Sequence, residues 1–279
     1  MRRMRIPAAL SATAAAAALL ATAATAATIT DDDGGHVLRG TNDADTINAA
    51  GGHDRVFALA GDDVVNAGWG RDRVRAGRGN DTVSGGIGND LVFAGGGNDG
   101  VGGGPGWDRV FGAAGNDTIS GGIGGDRLVG GYGTDTLNGD AGRDLLSGGR
   151  DDDVENGGGG NDRIFANQGV DEEFGGPGAD QLWALARVDV DTSSGPDTTG
   201  DTLHGGAGPD TFRTRDGEAD KIDCGDGQDR ALLDQQDVIV DAADGNPNGS
   251  CEVVTRADPA PRDNTTENAQ QSPADNDQN

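Results

Sequence analysis

Residues 121–138 read GGIGGDRLV-GGYGTDTLN, two nine-residue units in direct succession, Gly121 to Val129 and Gly130 to Asn138. Each places glycine at positions one, two and four, aspartate at six and leucine at eight. The frame extends in both directions, as in Gly85 to Phe93 (GGIGNDLVF), Gly103 to Phe111 (GGPGWDRVF) and Gly175 to Trp183 (GGPGADQLW). Sixteen aspartates fall nine residues apart: Asp45, Asp54, Asp63, Asp72, Asp81, Asp90, Asp99, Asp108, Asp117, Asp126, Asp135, Asp144, Asp153, Asp162, Asp171 and Asp180. Glycine stands two before the aspartate in fourteen of the sixteen units, Asp43 and Asp151 being the exceptions. An aliphatic residue stands two after it in fourteen, the exceptions being Glu155 and Glu173. A fixed short period implies a solenoid whose repeats stack on one another. A disordered linker would have no need of an aliphatic residue at a constant offset.

The chemistry follows from the frame. Six residues must turn tightly, and glycine supplies the φ > 0 conformations. The aspartate offers hard carboxylate oxygens and the turn adds carbonyls, a donor set that suits Ca²⁺ with its 6–8 oxygen ligands. The last three residues form a short strand with its middle residue inward and its neighbours outward. Gly95, Gly97 and Gly100 spell G-x-G-x-x-G, but no helical pattern follows, so a dinucleotide site is not expected.

The units resemble the RTX, or hemolysin-type, calcium-binding repeat family over roughly residues 37–230. The resemblance implies an all-β, calcium-dependent, right-handed parallel β-roll with two units per coil. Turns eighteen residues apart then stack on one edge and share ions. One aspartate column would run Asp45, Asp63, Asp81, Asp99, Asp117, Asp135, Asp153, Asp171, and the other Asp54, Asp72, Asp90, Asp108, Asp126, Asp144, Asp162, Asp180. Seven gaps per column set a ceiling of about fourteen ions. Asp201 and Asp210, where the repeat resumes, join the expected ligands.

The chain has 279 residues, 52 glycines, 4% aromatics and a formal net charge of −27. The inward stack from Ile47 to Leu146 is narrow and suits a thin roll. Without metal, such a chain should not recover its ordering entropy, so metal binding and folding become one equilibrium. The acidity argues against nucleic acid as a partner.

Residues 1–27 read as a secretory signal: Arg2, Arg3 and Arg5, then an apolar stretch from Ile6 to Leu20, then small residues. A membrane anchor is the alternative, but the stretch is shorter than the ~20 residues a span wants, and no later segment could cross a membrane. An extracellular location follows as an expectation. Cys224 and Cys251 are then expected to form one disulfide, with free thiols or an intermolecular bridge as alternatives.

The expected organisation is a roll over 28–184, an acidic loop over 185–200, a second repeat block and disulfide-closed C-terminal cap over 201–256, and a disordered tail over 257–279. The loop is vaguely EF-hand-like at Asp189 and Asp191, but Gly195 comes one place late and no Glu closes it. Glu155 and Glu173 take inward positions eighteen apart. Either the sheet opens there, or these acids reach ions or arginines.

The outward positions give two different faces. One carries Thr46/Asn48, Val64/Asn66, Thr82/Ser84, Thr118/Ser120 and Thr136/Asn138. The other carries Arg55/Phe57, Arg73/Arg75, Arg109/Phe111, Arg127/Val129 and Arg163/Phe165, interrupted by Leu91/Phe93. Thr and Phe favour strands in any case. An Arg-aromatic surface would also suit anionic cell-envelope polymers or a surface protein, and a Thr/Asn ladder could order water. The expected function is a secreted calcium-binding protein with a structural or surface role. The alternatives are a calcium-dependent adhesin and an accessory to a secreted hydrolase. No enzyme is expected: the sequence has no H-E-x-x-H or G-x-S-x-G, and the array begins within about ten residues of the expected mature N-terminus.

Overall fold

The computed structural model describes residues 26–184, 200–215, 217–242, 246 and 249–257. Nearly all of the signal segment, the acidic loop with Asp189 and Asp191, and the C-terminal tail lie outside the described residues.

Successive strands alternate between two long parallel sheets. The first runs from Thr28–Thr30 to Val238–Ile239, the second from Val37–Arg39 to Val253–Arg256. Through the regular array each residue pairs with the one eighteen further on: Ile47 with Val65, Ile119 with Leu137, Val56 with Val74, Val110 with Leu128. Two nine-residue units therefore make one coil. Among the described residues no helix is long and apolar enough to cross a membrane.

The core lies between the sheets. The eighth-position aliphatics from Ile47 to Leu146 are buried along its length. Each such side chain contributes about 1.5–3 kcal/mol when fully buried. First positions share this interior, as Ala49, Ala58, Ala67, Ala76, Ala94 and Ala166 show by their complete burial. Glycine or alanine at that position leaves room for only one large side chain per unit.

The turns explain the remaining glycines. Positive φ occurs at the second and fourth positions. Among the described residues, all six non-glycines with positive φ sit there: Ala50, Leu59, Ala113, Asp140 and Asn167 at the second, Asp151 at the fourth. The fourth position is the stricter. Gly88 has φ 148°, and a Cβ there would overlap the Gly70 carbonyl oxygen of the preceding coil.

Beyond Trp183 the roll continues after an excursion. Gln181 pairs with Thr211, and Asp180 N–H donates to Asp210 Oδ1 thirty residues on. The next spacing is nineteen, as between Asp201 and Asp220. Cys224 and Cys251 are bonded and both buried. Cys224 follows the first-sheet strand Lys221–Asp223 and Cys251 precedes the second-sheet strand Val253–Arg256, so the bridge ties the two sheets together near the end of the described roll.

On the outer face of the second sheet, Arg55, Arg73, Leu91, Arg109, Arg127, Leu145 and Arg163 form one column. Phe93 stacks on Phe111 at 5.0 Å and Phe165 on Trp183 at 4.4 Å. Guanidinium groups lie over these rings, including Arg109 over Phe111 at 5.8 Å and Arg163 over Trp183 at 5.2 Å. Phe111, Phe165 and Trp183 are buried as a result, although their strand positions point away from the core. This face is therefore guanidinium laid over aromatic rings. The sequence alone also gives no sign of an apolar ridge on one turn edge. Trp69, Ile87 and Ile123 at third positions and Trp107 at a fifth are 70%, 54%, 67% and 71% exposed.

Candidate metal centre

Both aspartate columns exist as expected, and a hydrogen-bond ladder runs along each. The backbone N–H of each aspartate donates to Oδ1 of the aspartate one coil further on: Asp45 to Asp63, Asp99 to Asp117 and Asp153 to Asp171 on one edge, Asp54 to Asp72, Asp108 to Asp126 and Asp162 to Asp180 on the other. The first column continues through Asp201 and Asp220 to Asp237, and the second through Asp210 and Asp229 to Glu252. Asp220, Asp229, Asp237 and Glu252 thus extend the set read from the sequence. From sequence the repeat only loosens at Asp220 and Asp229, and irregular spacing after residue 183 hid Asp237 and Glu252.

The other carboxylate oxygen is the informative one. Oδ2 of Asp54, Asp63, Asp72, Asp81, Asp90, Asp99, Asp108, Asp117, Asp126, Asp135, Asp144, Asp153, Asp162, Asp171, Asp180 and Asp210 is buried and accepts no hydrogen bond. Burying an acceptor without a partner costs roughly 1–3 kcal/mol, and more for a charge. So regular an arrangement calls for a cation. Asp45 differs, because its Oδ2 accepts from the N–H of Thr41 at 2.5 Å and the Thr41 hydroxyl at 3.1 Å.

A second kind of oxygen lies close to Oδ2. A Cβ placed on Gly103 would meet Asp108 Oδ2 and the Gly121 carbonyl oxygen of the next coil, each at 2.7 Å. Gly85 relates in the same way to Asp90 and Gly103, and Gly157 to Asp162 and Gly175. A carboxylate oxygen from one coil and a carbonyl oxygen from the next thus approach one another beside the first position, which is glycine in these units and alanine in others such as those of Asp54 and Asp99. Hard oxygens from two coils in a turn are a donor set for calcium.

Without metal, burial pushes these carboxyls upward against the backbone N–H bonds that hold them down. Asp90, Asp117 and Asp180 are raised to about 6. Asp81, Asp99, Asp108, Asp144 and Asp210 are raised to about 7, and Asp135 to about 8. Asp153 reaches about 9, and Asp171, with Asp201 beside it, about 10.

Two places depart from the repeat. Asp201, Glu218 and Asp220 are buried with one carboxylate oxygen from each within 4.8 Å of the others. The first sheet also stays closed at Glu155 and Glu173, which pair in register and are fully buried. Burial, together with neighbouring acids, raises both well above the ordinary carboxylate range.

The histidines have ordinary structural partners. His53 Nδ1 accepts from the N–H of Arg71 at 2.7 Å in a turn, His204 stacks on Phe174, and His36 Nδ1 lies 2.8 Å from Asp31.

No curated protein matches the chain in sequence. Among solved structures it is similar to a hyperactive, Ca²⁺-dependent, β-helical antifreeze protein from an Antarctic bacterium, at 16% identity. That match covers 86% of this chain and 96% of the other, with a TM-score of 0.44. The model of the RTX calcium-binding nonapeptide repeat (4 copies) matches residues 32–65, 39–74, 66–101, 102–131, 120–155, 156–182 and 197–231. With most of its length matched and its aspartates stacked in two ladders, the chain belongs to the RTX calcium-binding repeat family and is a calcium-binding repeat protein.

Proposed function

We propose that this protein is exported and folds on calcium outside the cell, where it serves as a non-catalytic structural or surface-attachment element. The observation that carries the reading is the row of buried, unpartnered Oδ2 atoms in successive turns. The aspartates from Asp54 to Asp180, with Asp201 and Asp210, would hold the ions. Asp45 would contribute less, because Thr41 already occupies its Oδ2. Calcium supplies positive charge that bridges one coil to the next. The chain supplies a turn shaped by glycine, an Oδ1 fixed by the backbone N–H of the preceding coil, and a buried Oδ2 that accepts no hydrogen bond. Affinities on the order of 10⁻⁴–10⁻³ M per site, as in extracellular modules, would keep it unfolded where calcium is scarce. The N-terminal basic and apolar segment supports export.

For the partner, the reading is an anionic polymer of the cell envelope, met by the arginine column on the second sheet. Arg55, Arg73, Arg109, Arg127 and Arg163 lie in one line, and Arg55, Arg109 and Arg163 lay their guanidinium groups over Phe57, Phe111 and Phe165 of their own strands. Only the folded roll makes this line. Replacing the five arginines with glutamine leaves the turns and the core untouched. Binding of isolated envelope polymer should require calcium in the parent and weaken with salt, and it should fall in the variant while calcium-dependent folding persists. Equal binding by parent and variant would reduce the stripe to ordinary strand surface.

A further inference from the structure

The turn sites described above all use aspartates at the sixth position. At residues 153–173 a second kind of carboxylate enters. Glu155 and Glu173 hold the inward eighth position that Leu137 and Leu203 hold on either side of them in the same column. The apolar core divides at this point. One cluster ends at Leu146 and Ile164, and the other begins at Leu182 and Leu203.

The glutamate side chains do not escape to solvent. Both residues are 0% exposed; neither oxygen of Glu155 accepts a hydrogen bond, and the only donor near Glu173 is the backbone N–H of Ala166, short of good hydrogen-bond geometry. Their direction is fixed at Gly148. A Cβ there would collide with Asp153 Oδ2 and equally with Glu155 Oε1. At Gly103 and Gly157 the corresponding gap is faced by one aspartate oxygen and a backbone carbonyl of the next coil. At Gly148 the glutamate oxygen stands nearer than that carbonyl. That point is thus faced by one oxygen of Asp153 and one of Glu155, from one coil, each buried and accepting no hydrogen bond.

We propose that Glu155 and Asp153, whose oxygens converge beside Gly148, hold a cation for which Glu173 and Asp171 of the next coil are drawn in on binding, an interior site distinct in composition from the repeated turn sites and taking calcium or another hard divalent ion. The ligand would be held between the sheets and the first edge, where the apolar core is interrupted. Calcium affinity rises with the number of charged ligands and with rigidity. A site with a glutamate and an aspartate per coil, closed to water, binds more tightly than turns offering one aspartate per coil. This site fills first and seeds the roll from its middle. The inference rests on calcium binding by the turns, since it shares Asp153 and Asp171 with them.

The test uses the full mature chain. Native mass spectrometry counts the calcium ions retained as chelator is added, and circular dichroism gives the calcium midpoint of folding. The parent should keep a class of about two ions after the turn ions have left. In E155Q/E173Q that class should vanish and the midpoint rise several-fold. The proposal is overturned if the parent shows no retained class, or if E155Q/E173Q binds the same number of ions with an unchanged or lower midpoint. The second result would mean a protonated pair that only costs stability. Should the glutamine variant not fold at any calcium level, E155L/E173L decides, leucine being native to this column. A folded leucine variant short of the tight ions supports the site, and one with the full count overturns it. A parent that bound no calcium at all would instead sink the turn sites, which the variants do not touch.

Discussion

Each aspartate of the array divides its labour between two oxygens. Oδ1 accepts from the preceding coil and sets the spacing of the turns. Oδ2 is left buried without a donor and is the atom an ion would take. The side chain is thus positioned before metal arrives, and removing it costs both a ladder bond and a ligand. Asp117→Ala should therefore raise the calcium midpoint of folding roughly tenfold or more, as expected when a buried charged partner worth ~1.5–3 kcal/mol is lost. Asp45→Ala should shift it far less, since Asp45 lies at the start of its column with Thr41 on its Oδ2. Calcium titrations of the two variants by circular dichroism check this. Equal shifts would contradict the division of roles.

At the scale of strands and turns, the nine-residue period placed the strands and turns, and the family resemblance, with its two units per coil, placed the pairing register and both aspartate columns. Every coil repeats the same geometry, so one unit's reading transfers to all. What could not be read were features that break the repeat or lie at right angles to it. The twelve added residues before Asp201 and the uneven spacing after it left Asp220 and Asp229 as a loosened repeat rather than ligands, and hid Asp237 and Glu252 as continuations of the columns. The Trp69–Ile87–Ile123 ridge sits at turn tips, where the motif tolerates any residue and so carries no signal. The burial of Phe111 and Trp183 on an outer face depends on neighbours one coil away covering them. The fate of Glu155 and Glu173 depends on whether the sheet yields, a contest of energies that periodicity does not record. The Cys224–Cys251 bridge also belongs to this scale, with a sequence separation of 27. Closing a loop of that size contributes about 3 kcal/mol in the chain-entropy picture. Reduction, or Cys224→Ser with Cys251→Ser, should accelerate hydrogen exchange in Lys221–Asp223 and Val253–Arg256 while leaving the coils around Val110 unchanged. Uniform acceleration along the whole roll would show that the bridge holds more than its own end.

For the whole molecule, charge and fold are coupled through protons as well as calcium. In the metal-free roll the buried aspartates have carboxyls raised by burial, from 3.8 to about 6 for Asp90 and Asp117 and to about 8 for Asp135. A raised acid favours the fold while protonated, so the contribution is fully present below the unfolded value near 3.8. It is lost as pH rises through about 6 to 8. With chelator present, β-structure should therefore be greatest in mild acid and fall away toward neutral pH. With calcium present the trend should reverse, because protons and calcium compete for the same oxygens. Parallel pH titrations with and without calcium check the crossing. Similar curves in both conditions would mean that the carboxylates are not the coupled groups.

The central claim is that the two Oδ2 columns are cation sites on which the fold depends. Circular dichroism of the mature chain at about pH 7.5, in excess EDTA and then through a rising calcium series, tests it most directly. The account predicts a largely unfolded spectrum in EDTA, followed by one cooperative gain of β-structure at calcium on the order of 10⁻⁴–10⁻³ M. A β-rich spectrum that persists unchanged in EDTA would contradict it.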